Sequence, residues 1–358
     1  MDFKKKVKNL PSTPGVYLMK NFSGDIIYVG KSKSLKNRVS SYFQNSRNHP
    51  PKVERLVKTI KDFDYILTDT EFEAFILECK LIKDIKPIYN KQMKTPSSYI
   101  YIGINTDEEN TGIKIENNIN EKNSSIYFGP YTNRNTVERA IKGIKEFCKI
   151  DCNSTSKKKA PCLNYSLGLC IGMCLGGTAA KEYDKIIDRI VELLNGTDMS
   201  ILEEMKQKMQ KTSENFDFEV AAKYRDYVIA IKTLISKEKV IEFTEDNKNI
   251  AVIEHLNNSN VKLFLIKGNK VLFNEKYKLD NLSMEQTQIQ LKSNILNCFK
   301  DNELSLTIEI KKEDIDEAQI IYSYLKSNNC NYIIIPDEWL DSRNYDHIDQ
   351  ALLNLLSF

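Results

Sequence analysis

The stretch GVYLMKNFSGDIIYVGKSKSLKNRVSSYF, residues 15–43, decides the fold of the first part of the chain. Two β-prone runs, at 14–20 and 25–30, flank the turn-forming residues 21–24, and this pattern is typical of a β-hairpin. Ser34 then offers an N-cap for a helix that reaches about Phe43. Two short strands followed by a helix predict a small α+β module.

The same module continues with a predicted helix at 52–61, a strand at 64–68 and a longer helix from 71 to 86. The long helix repeats apolar residues at helical spacing and stops before Pro87, which cannot continue a helix. Those apolar residues are Ala74, Ile76, Leu77, Leu81 and Ile85. We therefore expect a first domain with a short antiparallel sheet flanked by helices.

The length of 358 residues is enough for two to four domains, and the element pattern predicts an α+β multidomain protein. The predicted segments are 1–95, 96–180 with a cysteine-rich stretch, 181–240 with mostly helices, and 245–358 with strands and helices. In the third segment, two helices between 199 and 238 form a predicted hairpin. In the fourth, three strands, a helix, a strand at 304–310, a helix and a last strand follow one another, an order compatible with a ribonuclease H-like sheet.

Charge is distributed unevenly along the chain. Residues 1–95 carry 19 Lys and Arg against 10 Asp and Glu, whereas residues 181–358 carry 23 against 31. This favours a polyanion as the partner of the first part and a protein as the partner of the last, although solvated lysine-rich faces would give the same count. No apolar run approaches the roughly 18 residues of a membrane-spanning helix, and the lysine-rich N-terminus lacks an apolar continuation, so we expect a cytoplasmic location and no membrane partner.

Five residues of the first module carry groups that suit phosphate chemistry: Tyr17, Tyr28, Lys31, Arg38 and Tyr42. Arg38 and Tyr42, the two residues on the predicted helix, are four positions apart, which places them on one helix face. If that face packs across the hairpin, all five side chains converge. Alternatively, the hairpin aromatics are simply core residues.

Phosphodiester hydrolysis would use this set as follows. Arg38 and Lys31 would stabilise the negative charge that grows on a phosphate oxygen in the transition state. Glu78, on the long helix, would hold one Mg²⁺ or Mn²⁺, with Asn90 just beyond the helix end. A tyrosine whose pKa is lowered by neighbouring cations would act as the general base. A solvated helix glutamate is the alternative interpretation of Glu78.

Five of the eight cysteines lie within residues 148–174. In a reducing compartment such a cluster favours metal or iron-sulfur ligation over disulfides. Cys79, Cys298 and Cys330 lie in helical or strand patterns and are predicted core residues. We expect the same of Cys148, although it is one turn from Cys152 and could replace it as a ligand.

Four motifs in order resemble the GIY-YIG nuclease module of the UvrC family of excinuclease subunits. They are PGVY at 14–17, IIYVGKSKSLKNRVSSYF at 26–43, EAFILECKLIKDIKPIYN at 73–90 and YFGPY at 127–131. The resemblance implies that Tyr17 and Tyr28 are the two motif tyrosines, either of which is a candidate base. It further implies catalytic positions at Lys31, Arg38, Tyr42 and Asn90, and a metal-binding position at Glu78.

Two later segments resemble the same family. Cys152, Cys162, Cys170 and Cys174 match the cluster assigned to an iron-sulfur centre, so the resemblance favours [4Fe–4S], with structural zinc as the alternative. ENFDFEVAAKYRDYVIAIKTL at 214–234 resembles the UVR motif, through which UvrC contacts the helicase subunit UvrB. The contact residues implied are Phe216, Phe218, Ala222, Tyr224 and Arg225, and an ordinary intramolecular hairpin is the alternative.

The resemblance implies a DNA endonuclease of nucleotide excision repair that cuts one strand of a damaged duplex 3′ to the lesion, recruited by UvrB with UvrA upstream. It also implies a shortened form, as in the Cho excinucleases, without the catalytic ribonuclease H-like and helix-hairpin-helix domains. No small-molecule substrate is expected. Two alternatives are a nuclease that cuts branched DNA without UvrB and a noncatalytic module that binds UvrB.

Overall fold

The computed structural model describes residues 3–44, 50–90, 99–105, 112–119, 125–151, 161, 163–257, 259–279, 284–300, 314–327, 330–341 and 345–356. The chain divides into two compact units, one formed by 1–95 with 243–358 and the other by 96–242. The first and last predicted segments thus share one unit. The α+β class is confirmed.

The N-terminal segment contains a three-stranded antiparallel sheet in the order β2-β1-β3. Its elements are α1 Phe3–Lys8, β1 Gly15–Lys20, β2 Ile26–Ser32, α2 Leu35–Tyr42, α3 Pro51–Thr59, β3 Asp62–Leu67 and α4 Glu71–Ile85. The predicted hairpin is confirmed. In its turn, the side chain of Asn21 accepts hydrogen bonds from the backbone N–H groups of Ser23 and Asp25, and Gly24 adopts a φ of +86°.

Ser34 occupies the predicted N-cap position of α2, but its side chain makes no capping hydrogen bond. The first turn of the helix is satisfied by the backbone instead. The N–H groups of Leu35 and Lys36 donate to the carbonyl oxygens of Thr13 and Pro11, at 3.1 and 3.0 Å. The loop before β1 therefore caps α2, and this fixes the helix beside the hairpin.

In the second unit, a sheet and four of the five helices described there pack around one continuous core. Its elements are β4 Ile100–Asn105, β5 Gly112–Glu116, β6 Ser125–Tyr131, α5 Arg134–Phe147, α6 Leu163–Ser166, α7 Thr178–Asn195, α8 Ser200–Glu214 and α9 Phe218–Glu245. The three strands are antiparallel in the order β5-β4-β6. The predicted helical hairpin is formed by α8 and α9, whose apolar faces enter the same core, as Leu202, Met205 and Ile231 do.

The C-terminal segment contains a four-stranded antiparallel sheet in the order β10-β7-β8-β9. Its elements are β7 Asn249–Asn257, β8 Asn260–Lys267, β9 Lys270–Lys278, α10 Met284–Lys300, α11 Ile315–Leu325, β10 Asn331–Ile335 and α12 Tyr345–Leu356. The strand predicted at 304–310 lies outside the described residues, so the ribonuclease H-like order stays a prediction. Helices α10 and α12 cover one face of the sheet.

Helix α4 is apolar on two sides, and each side packs against a different sheet. Ala74 and Ile82 pack on β1 and β2, against Val16 and Val29. On the other side, Phe72 and Cys79 pack with α11 on β7 and β8, for example against Phe264. Cys79 is fully buried, as predicted. One helix therefore covers a face of both sheets of this unit.

Across the described ranges, none of the helices is long and apolar enough to cross a membrane.

Candidate active site

Three tyrosine rings meet at the centre of the hairpin face that α2 covers. The ring centroids of Tyr17 and Tyr28 are 6.1 Å apart, and the ring of Tyr42 lies 6.0 and 6.5 Å from these two. The hydroxyl groups of Tyr17 and Tyr42 share a hydrogen bond of 2.9 Å. Arg38 Nε donates to the Tyr17 hydroxyl at 3.3 Å, and its guanidinium lies 5.2 Å from the Tyr42 ring. The structure therefore brings the predicted aromatic and arginine side chains together.

The two motif glycines leave the space that this cluster needs. Tyr17 and Gly30 face each other across β1 and β2. A Cβ atom on Gly30 would lie 2.4 Å from the Tyr17 hydroxyl oxygen, and a Cβ atom on Gly15 would lie 2.4 Å from the carbonyl oxygen of Ile66 on β3. Any larger residue at Gly30 must displace Tyr17, so the glycine is required by the buried phenol rather than by its own backbone angles.

Glu78 enters the site from α4. Its Oε1 accepts a hydrogen bond of 3.1 Å from the backbone N–H of Lys31, at the end of β2. Burial raises the pKa of Glu78, against the opposing effect of the Lys31 N–H and of the Lys31 and Arg38 charges. The half-buried carboxylate therefore sits in an environment where a cation is its natural partner.

One carboxylate with a free oxygen fits Mg²⁺ or Mn²⁺, since such ions are often held by one or two carboxylates and several waters. Within the described ranges, Glu78 Oε2 makes no hydrogen bond to the protein. No group of three or more His, Cys, Asp or Glu side chains able to hold a metal occurs in that part of the chain. The site therefore suits a hydrated ion held by Glu78, not an ion enclosed by protein ligands.

The ammonium group of Lys31 points towards the first turn of α4. Its Nζ lies 2.8 Å from Glu71 Oε1 and 4.2 Å from the centre of the Phe75 ring. The carboxylate of Glu71 is half exposed, so the ion pair is weak and exchangeable. A phosphate that approaches Lys31 competes with Glu71, a residue that the sequence pattern alone did not single out.

Asn90 closes the free edge of β2. Its side-chain amide donates to the Val29 carbonyl at 2.8 Å, and its Oδ1 accepts from the Val29 N–H at 2.9 Å. The neighbouring N–H of Tyr89 donates to the carbonyl of Ile27. Asn90 is buried, and both polar atoms of its side-chain amide are hydrogen-bonded to the backbone of β2. Its role in this geometry is therefore to support the strand that carries Tyr28.

The predicted lowering of a tyrosine pKa is wrong for this arrangement. Burial raises the pKa of Tyr17 well above its ordinary value, and the neighbouring tyrosines add to this effect. The pKa of Tyr28 is also raised, first by burial and then by Tyr42 and the negative charge of Glu78. Arg38 acts in the opposite direction in both cases but is outweighed. The sequence predicted that the charge of neighbouring cations would decide the direction of the tyrosine pKa shift, whereas desolvation by burial decides it.

Three family models match successive parts of the chain. The UvrC-like GIY-YIG domain matches residues 13–91, the middle domain of UvrC/Cho excinuclease matches 99–193, and the UvrB/uvrC motif matches 200–234. The chain belongs to the UvrC family.

Several relatives, each named UvrABC system protein C, match nearly the whole chain. UvrABC system protein C of Clostridium beijerinckii is 37% identical over 342 residues, which are 94% of this chain and 55% of that protein. The proteins of Clostridium perfringens and Clostridioides difficile are 38% and 37% identical, over 90% and 93% of this chain and 53% and 56% of their own lengths. The chain thus spans about half the length of these curated UvrC relatives.

Among solved structures, the chain is similar to the GIY-YIG N-terminal endonuclease domain of UvrC from Thermotoga maritima, which was solved bound to magnesium as its catalytic divalent cation. The two are 42% identical, with a TM-score of 0.23, over 25% of this chain and 96% of that one.

The cysteine cluster of the UvrC middle domain falls largely outside the described residues. Cys152 and Cys162 lie there, and the side chain of Cys174 does too. Cys170 is buried, and its sulfur accepts a hydrogen bond from the N–H of Gly172 at 3.4 Å. Cys148 packs against the core of the second unit, and burial raises the pKa of its thiol to about 11. The ligand set stays a prediction, and Cys148 has the core position expected of it.

The UVR segment presents two aromatic side chains at the tip of the α8–α9 hairpin. Phe216 is 79% exposed and Phe218 is 62% exposed, and their ring centres are 6.1 Å apart. Phe216 has a φ of +61°, in the turn between the helices. Among the other predicted contact residues, Arg225 is exposed, Ala222 is half-buried and Tyr224 is only 8% exposed. Tyr224 packs edge-on against Phe147 and Tyr227, so its ring is part of the core.

Proposed function

We propose that this chain is a metal-dependent DNA endonuclease of nucleotide excision repair. It would hydrolyse one phosphodiester bond 3′ to a lesion in double-stranded DNA and leave 3′-hydroxyl and 5′-phosphate ends. The observation that carries the proposal is the approach of Glu78, held by the Lys31 N–H near the end of β2, to Tyr28 and Arg38: its charge acts on the pKa of Tyr28, and the charge of Arg38 acts on its own pKa. Membership of the UvrC family supports it.

Arg38 is the residue that would stabilise the transition state. Its Nε is occupied by the Tyr17 hydroxyl, which orients the guanidinium and leaves its terminal N–H groups for a phosphate. Such preorganised donors act on charge that develops in the transition state without a reorganisation cost. Lys31 would add a second positive charge once a phosphate displaces Glu71.

Glu78 would hold one Mg²⁺ or Mn²⁺, which supplies Lewis acid chemistry at the scissile phosphate and assists the leaving oxygen. The protein's part is to hold this carboxylate in place. The Lys31 N–H does so from β2 and also favours the ionised form against the effect of burial, and the packing of α4 on β1 and β2 fixes its position from the other side.

Tyr28 is our candidate for the residue that activates water. Tyr17 is 1% exposed and its hydroxyl is engaged with Tyr42 and Arg38, whereas Tyr28 is half-buried. The charge of Glu78 is one cause of the raised Tyr28 pKa. Neutralising that charge would lower the pKa, so the phenolate, which is the form of Tyr28 that accepts a proton from water, would form more readily. Tyr17 would instead orient Arg38.

Recruitment by UvrB, with UvrA acting upstream, is the second part of the proposal. The exposed aromatic pair Phe216 and Phe218 supports it, since exposed aromatic side chains at the tip of a hairpin are typical anchors in protein interfaces. For the cysteines we propose a [4Fe–4S] cluster, with zinc as the alternative. The visible absorption spectrum of anaerobically purified protein discriminates the two, because only the cluster absorbs there.

The deciding experiment is strand-resolved incision of a duplex with one bulky lesion, in the presence of UvrA, UvrB and Mg²⁺. Wild type is compared with Arg38→Ala and Glu78→Ala. We expect a single 3′ cut that needs UvrB and is lost in both variants. Cutting without UvrB would instead indicate a free-standing nuclease for branched DNA, and UvrB binding without any cutting would indicate a regulatory module.

A further inference from the structure

A buried lysine of the C-terminal sheet is tied to the start of the helix that carries Glu78. Lys262, on β8, is 5% exposed. Its Nζ lies 2.9 Å from Asp69 Oδ2 and 2.8 Å from Glu73 Oε1. Lys276, on β9, reaches the other oxygen of Asp69 at 3.2 Å. A charge buried to this extent is strongly destabilising when it loses its partner, so the arrangement fixes Lys262 and α4 to each other.

Glu73 makes this connection part of the helix itself. Its Oε2 accepts hydrogen bonds from the N–H groups of Asp69 and Thr70, while the Thr70 hydroxyl accepts from the Glu73 N–H. This is a capping box, the arrangement that sets where a helix begins. Because Lys262 binds the other oxygen of the same carboxylate, the C-terminal sheet holds the helix at its first turn.

An aromatic stack adds to the ionic contact. The ring of Phe72 lies parallel to that of Tyr324 on α11, with centres 3.9 Å apart, and meets Phe264 of β8 edge-on at 5.1 Å. The Tyr324 hydroxyl donates to Glu254 on β7 at 2.6 Å. Further along α4, Lys83 approaches Glu317 of α11 at 3.8 Å. The C-terminal segment therefore contacts α4 along most of its length.

The same helix also reaches the candidate active site. Glu71 binds the ammonium of Lys31, and Glu78, two turns later, accepts from the Lys31 N–H. Any tilt or shift of α4 changes both distances at once, because a helix moves as a rigid element. Among the described residues, no group of three or more His, Cys, Asp or Glu side chains surrounds a metal held by this carboxylate and could correct such a shift.

We propose that the C-terminal segment, residues 243–358, positions α4 for catalysis, and that Lys262 is the positioning residue that sets the first turn of the helix. This inference rests on the proposed nuclease function, and it assigns to the C-terminal segment a role in the reaction of the N-terminal site. Lys262 touches neither Glu78 nor Lys31. It acts through Asp69 and Glu73.

The test compares Lys262→Met with Lys292→Met in the full chain. Lys292 is a matched control, since it also forms an ion pair within the C-terminal segment, 2.6 Å from Asp349, but it joins α10 to α12. Hydrogen exchange of the α4 amides reports on docking without any need for activity. Mn²⁺ affinity and the kcat and KM of incision report on the site. Asp69→Asn, at a partly exposed residue, is a milder second variant that keeps the capping box.

We expect the backbone amide hydrogens of residues 71–79 to exchange faster in Lys262→Met and in Asp69→Asn than in wild type. We also expect Lys262→Met to bind Mn²⁺ about tenfold more weakly, with a lower kcat and little change in KM. Lys292→Met should match wild type in all three. Unchanged α4 exchange in both variants, or an equal change in the control, overturns the proposal. If the variants show faster exchange of the α4 amides but the wild-type protein cuts no DNA, the positioning of α4 is supported and only the nuclease function is overturned.

Discussion

The backbone N–H of Lys31 donates to Oε1 of Glu78 across 3.1 Å, so the end of β2 holds the carboxylate that α4 presents. The bond joins two elements of the first unit that are far apart in sequence. It leaves Oε2 of Glu78 without a hydrogen bond from the described residues and fixes its place beside Tyr28.

As the pH is lowered, the protein should lose its metal affinity at a higher pH than is usual for a site built on glutamate. Burial raises the pKa of Glu78, and the ionised form is the one that binds a cation, so binding is lost as pH falls through that raised pKa. Mn²⁺ titrations at several values between about pH 4 and pH 8 measure the midpoint. A midpoint at or below the ordinary glutamate value of about 4.3 would contradict this.

Glu78→Gln should stabilise the metal-free protein at neutral pH while it removes incision. A carboxyl whose pKa is raised by folding opposes folding once it is ionised, so stability falls as pH rises from the unfolded-state pKa through the folded-state pKa. Glutamine keeps an oxygen that accepts from the Lys31 N–H. The free energy of unfolding in urea should therefore be higher for the variant at pH 7 and equal to wild type near pH 4, where the wild-type side chain is protonated. An equal difference at both pH values would show another cause.

Tyr28→Phe should reduce kcat more than Tyr17→Phe. Loss of a general base costs on the order of 100- to 10,000-fold, whereas loss of the Tyr17 hydroxyl removes the orientation of Arg38 and a hydrogen bond to Tyr42. Single-turnover incision rates of the two variants, with thermal unfolding as the control for folding, decide between them. A larger loss in Tyr17→Phe would make Tyr17 the base.

The sequence was sufficient to predict the parts of the site that depend on local spacing. Tyr17 and Tyr28 fall on the two strands of a hairpin that its turn residues define, and Arg38 and Tyr42 share a helix face because they are four residues apart. The convergence of these side chains follows once α2 packs on the hairpin. For this reason the described geometry matches the expectation for these four side chains, whereas the ammonium group of Lys31 points to α4 instead.

The other features of the fold and the site depend on packing between distant parts of the chain, which the spacing of residues in the sequence does not predict. Phe72, Phe75 and Cys79 already made α4 apolar on a second side, but the sheet that covers this side begins more than 150 residues later in the chain. The sign of the tyrosine pKa shift was missed for the same reason. It is the difference between a desolvation effect and a charge effect, and only the folded structure gives the extent of burial.

Asn90→Ala should destabilise the first unit as well as reduce incision. Both hydrogen bonds of the amide go to the backbone of Val29, which is fully buried, and the variant leaves a donor and an acceptor unpaired. We expect a loss of about 2 kcal/mol in the free energy of unfolding. Tyr89→Phe is the neighbouring control, since it removes only a hydroxyl contact with Thr59. A stable but inactive Asn90→Ala protein would point to direct contact with the substrate instead.

A double variant, Phe216→Ser with Phe218→Ser, should weaken UvrB binding without loss of stability. Both rings are mostly exposed and contribute little to the core, whereas burying two aromatic side chains in an interface contributes about 2 kcal/mol or more. Ile229→Ser is a matched control, because Ile229 is also an exposed apolar residue of α9, at 56% exposure, but it lies three turns from the hairpin tip. Calorimetric titration with UvrB should show at least about tenfold weaker binding for the double variant and wild-type binding for the control. Equal weakening in the two would place the contact along the helix rather than at its tip, and unchanged binding in both would leave the hairpin an intramolecular element.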